Sequence, residues 1–134
     1  MQSYLQTYNP YVLVFIGAGI GGVLRHAVNL AITRVLGADF PWGTAFINVS
    51  GSLAMGVLVG WLAFRAGAGW TQPTRLFIAT GILGGYTTFS TFSLESILLI
   101  ERHQIGAALA YVGGSVALGM LGLWAGLSLV RSLT

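Results

Sequence analysis

Hydrophobic residues form four long runs along the chain, near residues 11–35, 43–64, 75–100 and 104–130. Each run is long enough for an α-helix to cross a bilayer, which takes roughly 20 residues. The breaks between them, "LGADFPWG", "RAGAGWTQPT" and "ERHQ", carry turn-forming residues. The pattern predicts an all-α membrane protein, with a single four-helix transmembrane domain over residues 1–134. Because the breaks are short, successive helices are expected to be antiparallel neighbours.

Composition agrees with the membrane class and excludes several others. Hydrophobic residues make up 55% of the chain and charged residues only 7%, whereas a soluble domain carries about 25% charged residues. The six cationic residues are all arginines, scattered singly, so no nucleic-acid partner is expected. The chain has no Cys and only two His, and its runs hold no paired acids, so an enzyme is not expected.

The arginines that flank the runs are nearly balanced between the two predicted sides of the membrane. Arginine and lysine in short loops determine which side a loop occupies. One side is expected to hold Arg65, Arg75 and Arg131, and the other Arg34 and Arg102, with Arg25 buried nearer the second side. Two interpretations follow: a weak bias toward one orientation, or insertion in both orientations followed by antiparallel pairing.

Small residues recur at a spacing of four along faces of the predicted helices. The second helix carries the row Asn48, Ser52, Gly56 and Gly60. Without water, helices associate through close packing of small residues and through hydrogen bonds. The simplest interpretation is that such rows are packing seams. Because four helices enclose little interior, the rows also favour a dimer.

Three polar residues inside the runs have two interpretations each. Arg25 either reaches the headgroups or stands at the mouth of an aqueous vestibule, where it attracts anions. Asn48 either bonds a neighbouring helix or donates its amide N–H groups to an anion. Glu95, the one acid deep in a run, is either a structural partner or a proton-coupled site.

The stretch "GGYTTFSTFS", from Gly84 to Ser93, is the least helix-friendly part of the third run. Paired glycines weaken a helix, and Thr and Ser side chains compete for backbone hydrogen bonds. A break is therefore expected near 84–88, facing protein or a polar cavity rather than lipid. Phe89 and Phe92 are three residues apart, and their ring edges, which carry partial positive charge, lie among hydroxyls. This combination predicts a narrow, weakly electropositive anion site.

Three segments of the chain carry a family resemblance. They are a glycine-rich first helix that reaches Arg25, the motif "GTAFINVSGSLAMG" from Gly43 to Gly56, and the long, specific motif "GILGGYTTFSTFSLE" from Gly81 to Glu95. Together they resemble the Fluc/CrcB family of small fluoride channels. The resemblance implies a passive channel in a prokaryotic inner (plasma) membrane, which exports cytoplasmic fluoride. It also implies an antiparallel dual-topology homodimer with two pores and a vestibule arginine, here Arg25.

The resemblance further implies roles for individual residues. Phe89 and Phe92 match the phenylalanines beside the family's fluoride path, and Asn48 matches its pore-lining amide. Gly84 and Thr87 match the positions whose backbone carbonyls hold a central Na⁺ that is not transported. Further polar positions of the path match Thr44, Thr91, Glu95 and Ser115.

One position departs from the family pattern, and two alternative functions stay open. Gly119 stands where some relatives carry a Ser on the fourth helix, so this position of the polar path has no hydroxyl here. The main alternative is a small dual-topology multidrug exporter, which trades protons for cationic drugs at a membrane carboxylate; only Glu95 is available for that role. A non-conducting assembly subunit is the third possibility.

Overall fold

The computed structural model describes residues 7–134, and every regular element in that range is helical. Chain order gives α1 (Pro10–Leu36), α2 (Trp42–Ala63), α3 (Thr71–Thr74), a π-helical segment (Arg75–Leu83), α4 (Gly84–Tyr86), α5 (Phe89–Glu101) and α6 (Ile105–Leu133). The elements from α3 to α5, residues 71–101, correspond to the third predicted run and are called the third span below.

The limits of α1 follow from local chemistry. The Asn9 side chain accepts hydrogen bonds from the backbone N–H groups of Tyr11 and Val12, and Pro10 occupies the first helical turn. Both features are typical of a helix start. At the other end, Gly37 adopts a φ of 83°, which a residue without Cβ reaches at no steric cost.

Within residues 7–134, three helices are long and apolar enough to cross a membrane: α1, α2 and α6. The third span is apolar as well, but its helical pieces are individually short. Its interruption lies at Thr87 and Thr88, whose ψ angles of 156° and 115° are those of extended chain. The break falls inside the predicted interval 84–88. α5 then restarts with the Thr88 hydroxyl accepting a hydrogen bond from the Thr91 N–H.

The helices associate in two pairs. α1 packs against the π-helical segment and α4 so closely that a Cβ on Gly17 would lie 2.9 Å from the Gly81 Cα. α2 and α6 run parallel, since Gly56 lies against the Leu123 backbone and Gly60 lies farther along, against Val130. Gly56 and Gly60 of α2 thus form a seam with α6.

A small buried core cluster sits at the end of the bundle where α5 turns into α6. This cluster consists of Leu99, Ala108 and Tyr111, with Phe40 and Phe92 packed against it. Outside this cluster, Ile47, Leu62, Ala79 and Leu83 are also buried. Most other large apolar side chains face outward, among them Phe15, which is 81% exposed. Such a surface suits lipid or a second protein, not water.

Candidate functional site

The backbone of the break is held by Asn48 on α2. Its Oδ1 accepts from the Thr88 N–H at 2.8 Å, and its Nδ2 donates to the Thr88 carbonyl at 3.1 Å. The side-chain amide thus replaces the two backbone partners that Thr88 loses where the helix is interrupted. An amide NH₂ group has a second N–H, and Asn48 lines the adjoining groove.

That groove, called the Asn48 groove below, lies between α2, α5 and α6 and has a volume of about 370 Å³. It brings together four of the predicted path residues: Asn48, Phe89, Phe92 and Ser115. Thr87, Thr88 and Ser52 also line it. Amide, hydroxyl and aromatic groups therefore share one cavity, although they are up to 67 residues apart in sequence.

Ser115 differs from the other hydroxyls of the groove. Its Oγ is shielded from solvent and has no hydrogen-bond partner among residues 7–134. A buried hydroxyl without a partner costs free energy, so such groups are rare and call for an explanation. A hydrogen-bonding species in the groove would supply the missing partner.

Aromatic rings extend from the groove toward the buried core. The Phe89 and Phe92 ring centroids are 5.8 Å apart, and the Phe92 and Tyr111 centroids are 5.1 Å apart. Phe40 meets Tyr111 edge-on at 5.5 Å. Phe89, at the open end of this series, is 79% exposed.

Glu95 lies just beyond these rings, on α5. Its Oε1 accepts a hydrogen bond from the Thr44 hydroxyl at 2.7 Å, and its Oε2 accepts one from the Tyr111 hydroxyl at 3.2 Å. Both hydroxyl-bearing residues are buried, at 3% and 1% exposure. The carboxylate therefore has a hydroxyl partner on each oxygen, which corresponds to the structural interpretation offered for it.

A second cavity, the Arg102 cavity, opens on the other side of Glu95. It has a volume of about 280 Å³ and is lined by Asp39, Glu95 and Arg102, among others. Phe92 borders the Asn48 groove and contacts Tyr111, which bonds Glu95. The two cavities are thus linked by side chains in contact, and the polar groups form a series along the bundle.

The carbonyl groups of Gly84 and Thr87, before and within the break, have lost helical hydrogen bonds. Thr88 N–H bonds Asn48, so it does not bond the Gly84 carbonyl as a continuous helix would require. Gly84 is exposed. The Thr87 carbonyl accepts a long hydrogen bond, 3.4 Å, from Arg25 Nη1. Arg25 therefore reaches the break itself and is only partly exposed.

Besides Thr44 and Glu95, three predicted residues do not line the Asn48 groove: Arg25, Gly84 and Thr91. Thr91 does not border it; its Oγ1 accepts a hydrogen bond from the Thr88 hydroxyl at 3.1 Å. Gly84 also lies outside it. The predicted residues hence divide into the groove, the Glu95 cluster and the exposed face of the break.

Tyr111 was missed by the sequence prediction, although it joins the aromatic series to Glu95. A signal was present, because Tyr111 is a phenol in the middle of an apolar run. A buried tyrosine hydroxyl usually finds a hydrogen-bond partner. The one acid deep in a run, Glu95, was the natural candidate.

Broken helices beside a polar cavity are typical of transporters and channels. Residues 12–127 of the chain match the family described as "CrcB-like protein, Camphor Resistance (CrcB)". The chain belongs to this family, which confirms the resemblance predicted from its motifs.

Curated relatives cover nearly the whole chain. It is 58% identical over 124 residues to "Fluoride-specific ion channel FluC 2" of Nitrobacter hamburgensis, spanning 92% of this chain and 98% of that protein. "Fluoride-specific ion channel FluC" of Rhodopseudomonas palustris is 56% identical over 124 residues, with the same coverage. That of Beijerinckia indica is 58% identical over 123 residues, spanning 92% and 97%. With the three apolar helices, these bacterial relatives identify a multi-pass membrane protein of a prokaryote.

Proposed function

We propose that this protein is a passive channel selective for fluoride. The observation that carries the proposal is the Asn48 groove, where the amide of Asn48, the unpartnered hydroxyl of Ser115 and the rings of Phe89 and Phe92 share one cavity. The names of the relatives, fluoride-specific ion channels, support the same ion. An ion channel is not an enzyme, and no reaction step is required.

The chemistry of the groove suits a small, strongly hydrated anion. Fluoride accepts hydrogen bonds, and the groove offers donors in place of part of its water shell. Ring edges add weak positive potential without a full charge. A conducting site must bind well enough to admit the ion and weakly enough to release it. Arg25, whose guanidinium donates to the Thr87 carbonyl, would raise the local anion concentration beside the break without clamping the ion.

Two copies in opposite orientations complete the proposed channel. Phe89 is 79% exposed, and Gly84 is exposed on the face of the break, so a second copy has a surface to cover. The loop arginines are almost equally divided between the two ends of the bundle, which permits both orientations. The result is an antiparallel homodimer with two pores.

A central Na⁺ is part of the proposal, and the residues present fit it. Hard cations take backbone carbonyl oxygens as ligands. The Gly84 carbonyl lacks its helical partner, and the Thr87 carbonyl has only the long contact with Arg25. The Gly84 and Thr87 carbonyl oxygens of both copies would bind the ion. Its positive charge would then hold the two copies together. Exchanging Na⁺ for a much larger cation during purification is expected to lower fluoride flux, and so is Gly84→Val.

Passive flow also explains the physiological direction. In acidic surroundings, hydrogen fluoride enters cells as a neutral molecule. It then ionises in the cytoplasm and is trapped there as fluoride. The negative-inside potential of the inner membrane then favours anion exit by about 2.3 kcal/mol per charge at 100 mV. Export of cytoplasmic fluoride, and so resistance to its toxicity, follows without an energy-coupling residue.

Reconstituted ion release tests the proposal directly. Liposomes that contain the protein and fluoride should release fluoride rapidly after addition of a K⁺ ionophore, whereas liposomes loaded with chloride should retain it. Protein-free liposomes are the control. Retention of fluoride by the protein-containing liposomes would overturn the proposed function.

The exporter alternative is separated by Glu95→Gln. A channel is expected to keep part of its fluoride flux, because flow does not require a titrating carboxylate. An exporter would lose proton-driven drug exchange with the same substitution, and its unmutated form would release no fluoride. A protein that neither released fluoride nor exchanged drugs would be the non-conducting assembly subunit.

Orientation is tested separately with a tag at Thr134. Labelling is expected from both sides of the membrane in comparable amounts. Additional arginines at one end should then lock the orientation. Each locked variant should be inactive alone, and two oppositely locked variants should regain activity when expressed together. Labelling of the unmutated protein from one side only would contradict the dual-topology dimer.

A further inference from the structure

We infer that Ser52 supplies a further hydrogen-bonding hydroxyl to the ion path, at the level where α6 has only Gly119. This inference rests on the proposed function, and assigns a role to a residue that the sequence pattern placed in a packing row. The register between α2 and α6 places Ser52 and Gly119 at one level.

Three levels of polar residues are spaced one helical turn apart on α2. Thr44 bonds Glu95, Asn48 holds the break and borders the groove, and Ser52 borders the same groove. Residues four apart lie on one helix face. The face that holds Glu95 at one end therefore continues through Asn48 to Ser52.

α6 presents a matching series on its own face. Tyr111 bonds Glu95, and Ser115 places its unpartnered hydroxyl at the groove. The next residue at this spacing is Gly119, which has no side chain. The two helices run parallel, so Thr44 and Tyr111 mark one level, Asn48 and Ser115 the next, and Ser52 and Gly119 the third.

Direct geometry confirms the pairing at the third level. A Cβ on Gly119 would lie 3.6 Å from Ser52 Oγ, and no other atom would lie closer than 4 Å. Ser52 Oγ therefore points toward the space above Gly119. At this level the hydroxyl comes from α2 alone.

The Ser52 hydroxyl also differs from the serine hydroxyls that bond to a backbone carbonyl of their own helix. Ser93, Ser96 and Ser132 each donate to a carbonyl three or four residues earlier. Among the side-chain hydrogen bonds of residues 7–134, none of this kind involves Ser52. Its hydroxyl is thus available to an ion in the groove, one turn beyond Asn48.

The test moves the hydroxyl across the groove. Ser52→Ala is expected to lower fluoride flux about fivefold, the effect of one lost hydrogen bond. Adding Gly119→Ser in that background should restore most of the flux, because the space above Gly119 accepts a side chain. Gly119→Ala in the same background fills the space without a hydroxyl and should restore nothing. Ser132→Ala is the control for a serine outside the path.

The outcomes separate this inference from the proposed function. If the unmutated protein releases no fluoride, both fail. If it conducts and Ser52→Ala conducts equally well, the Ser52 role is wrong and the channel stands. Equal rescue by Gly119→Ser and Gly119→Ala would indicate packing, and would also overturn the role. Should Ser52→Ala fail to fold, Ser52→Cys, which keeps the volume but donates weakly, is expected to show the same loss of flux.

Discussion

The two halves of the third span are held in opposite ways. Before the break, the π-helical segment and α4 lie with their backbone directly on α1. A Cβ on Gly21 would lie 2.8 Å from the Tyr86 nitrogen and nearer still to the Ile82 carbonyl, and one on Gly85 would lie 2.9 Å from the Ala18 Cα. No side chain separates the two backbones at these points.

After the break, α5 is held by side chains. Asn48 bonds Thr88 at its start, and Thr44 and Tyr111 bond Glu95 in its middle. Phe89 stays largely exposed. Between these contacts lie the Asn48 groove and the Arg102 cavity.

This difference separates a tightly packed seam from the face that lines the proposed ion path. Backbone contact leaves no space, so the first half anchors the span and tolerates no added atom. Side-chain contact leaves cavities, and the polar groups that hold α5 can also meet an ion. Four predictions test the contrast, beginning with the largest expected effect.

Gly21→Ala is expected to prevent folding or cost about 3 kcal/mol, since overpacking against backbone cannot be relieved by a rotamer change. Gly19→Ala, two residues earlier on the same helix, has nothing within 4 Å of its added Cβ and should be harmless. Thermal unfolding of both variants in detergent measures the difference. Similar unfolding temperatures would contradict the tight seam.

Phe89→Ile should show the reverse pattern. Isoleucine keeps a large apolar side chain at this position, so the unfolding temperature is expected to stay near that of the unmutated protein. Fluoride flux should fall about tenfold or more, because an aliphatic group has no positive ring edge. Phe15→Ile, on an exposed ring of α1, is the matched control and should conduct normally. A large loss of stability in Phe89→Ile would indicate that this ring mainly supports the fold.

Asn48 both stabilises the break and borders the groove, and two substitutions separate these two roles. Asn48→Ala leaves the Thr88 N–H and carbonyl without partners and should cost about 1–3 kcal/mol of stability. Asn48→Asp keeps the acceptor for the N–H, so it should unfold at a higher temperature than the Ala variant. It should nevertheless conduct less fluoride, because a carboxylate repels an anion. The opposite order of flux would argue against an anion path beside this residue.

Thr87→Ser is expected to have the smallest effect. The hydroxyl donates to the Leu83 carbonyl at 3.0 Å, and serine can do the same. Only the methyl that faces Gly51 is lost, which costs about 1 kcal/mol at most. Flux close to normal, measured beside Gly84→Val, would favour a role for the Thr87 carbonyl over its side chain.

The helical architecture and the break were predictable because they depend on local properties. Four apolar runs and their turn residues predict the helices, and Gly84 with its hydroxyl-rich neighbours predicts an interruption. The exact break, at Thr87 and Thr88, was less accessible. It depends on Asn48, which lies 40 residues away and supplies the bonds that make extended chain tolerable there.

Residues of the groove were predictable where a motif or the family resemblance named them, and they were missed where only the register between helices reveals them. The groove contains Asn48, Phe89 and Phe92, all within the quoted motifs. Tyr111 and Ser52 gain their significance from the alignment of α2 with α6. A spacing of four within one helix is visible in the sequence, but the level at which two helices face each other is set by packing of glycines against backbone.

The two hydrogen bonds between Asn48 and Thr88 also bear on the order of assembly during synthesis. Thr88 has an extended backbone within the apolar third span, and lipid would offer no partner for its N–H or carbonyl. The third span can therefore settle into the bilayer only beside an α2 that is already present. Because α2 leaves the ribosome first, ordinary N-to-C synthesis delivers the amide before the peptide group that needs it. A circularly permuted chain that made the third span ahead of α2 would expose that group to lipid, and its insertion should be slow.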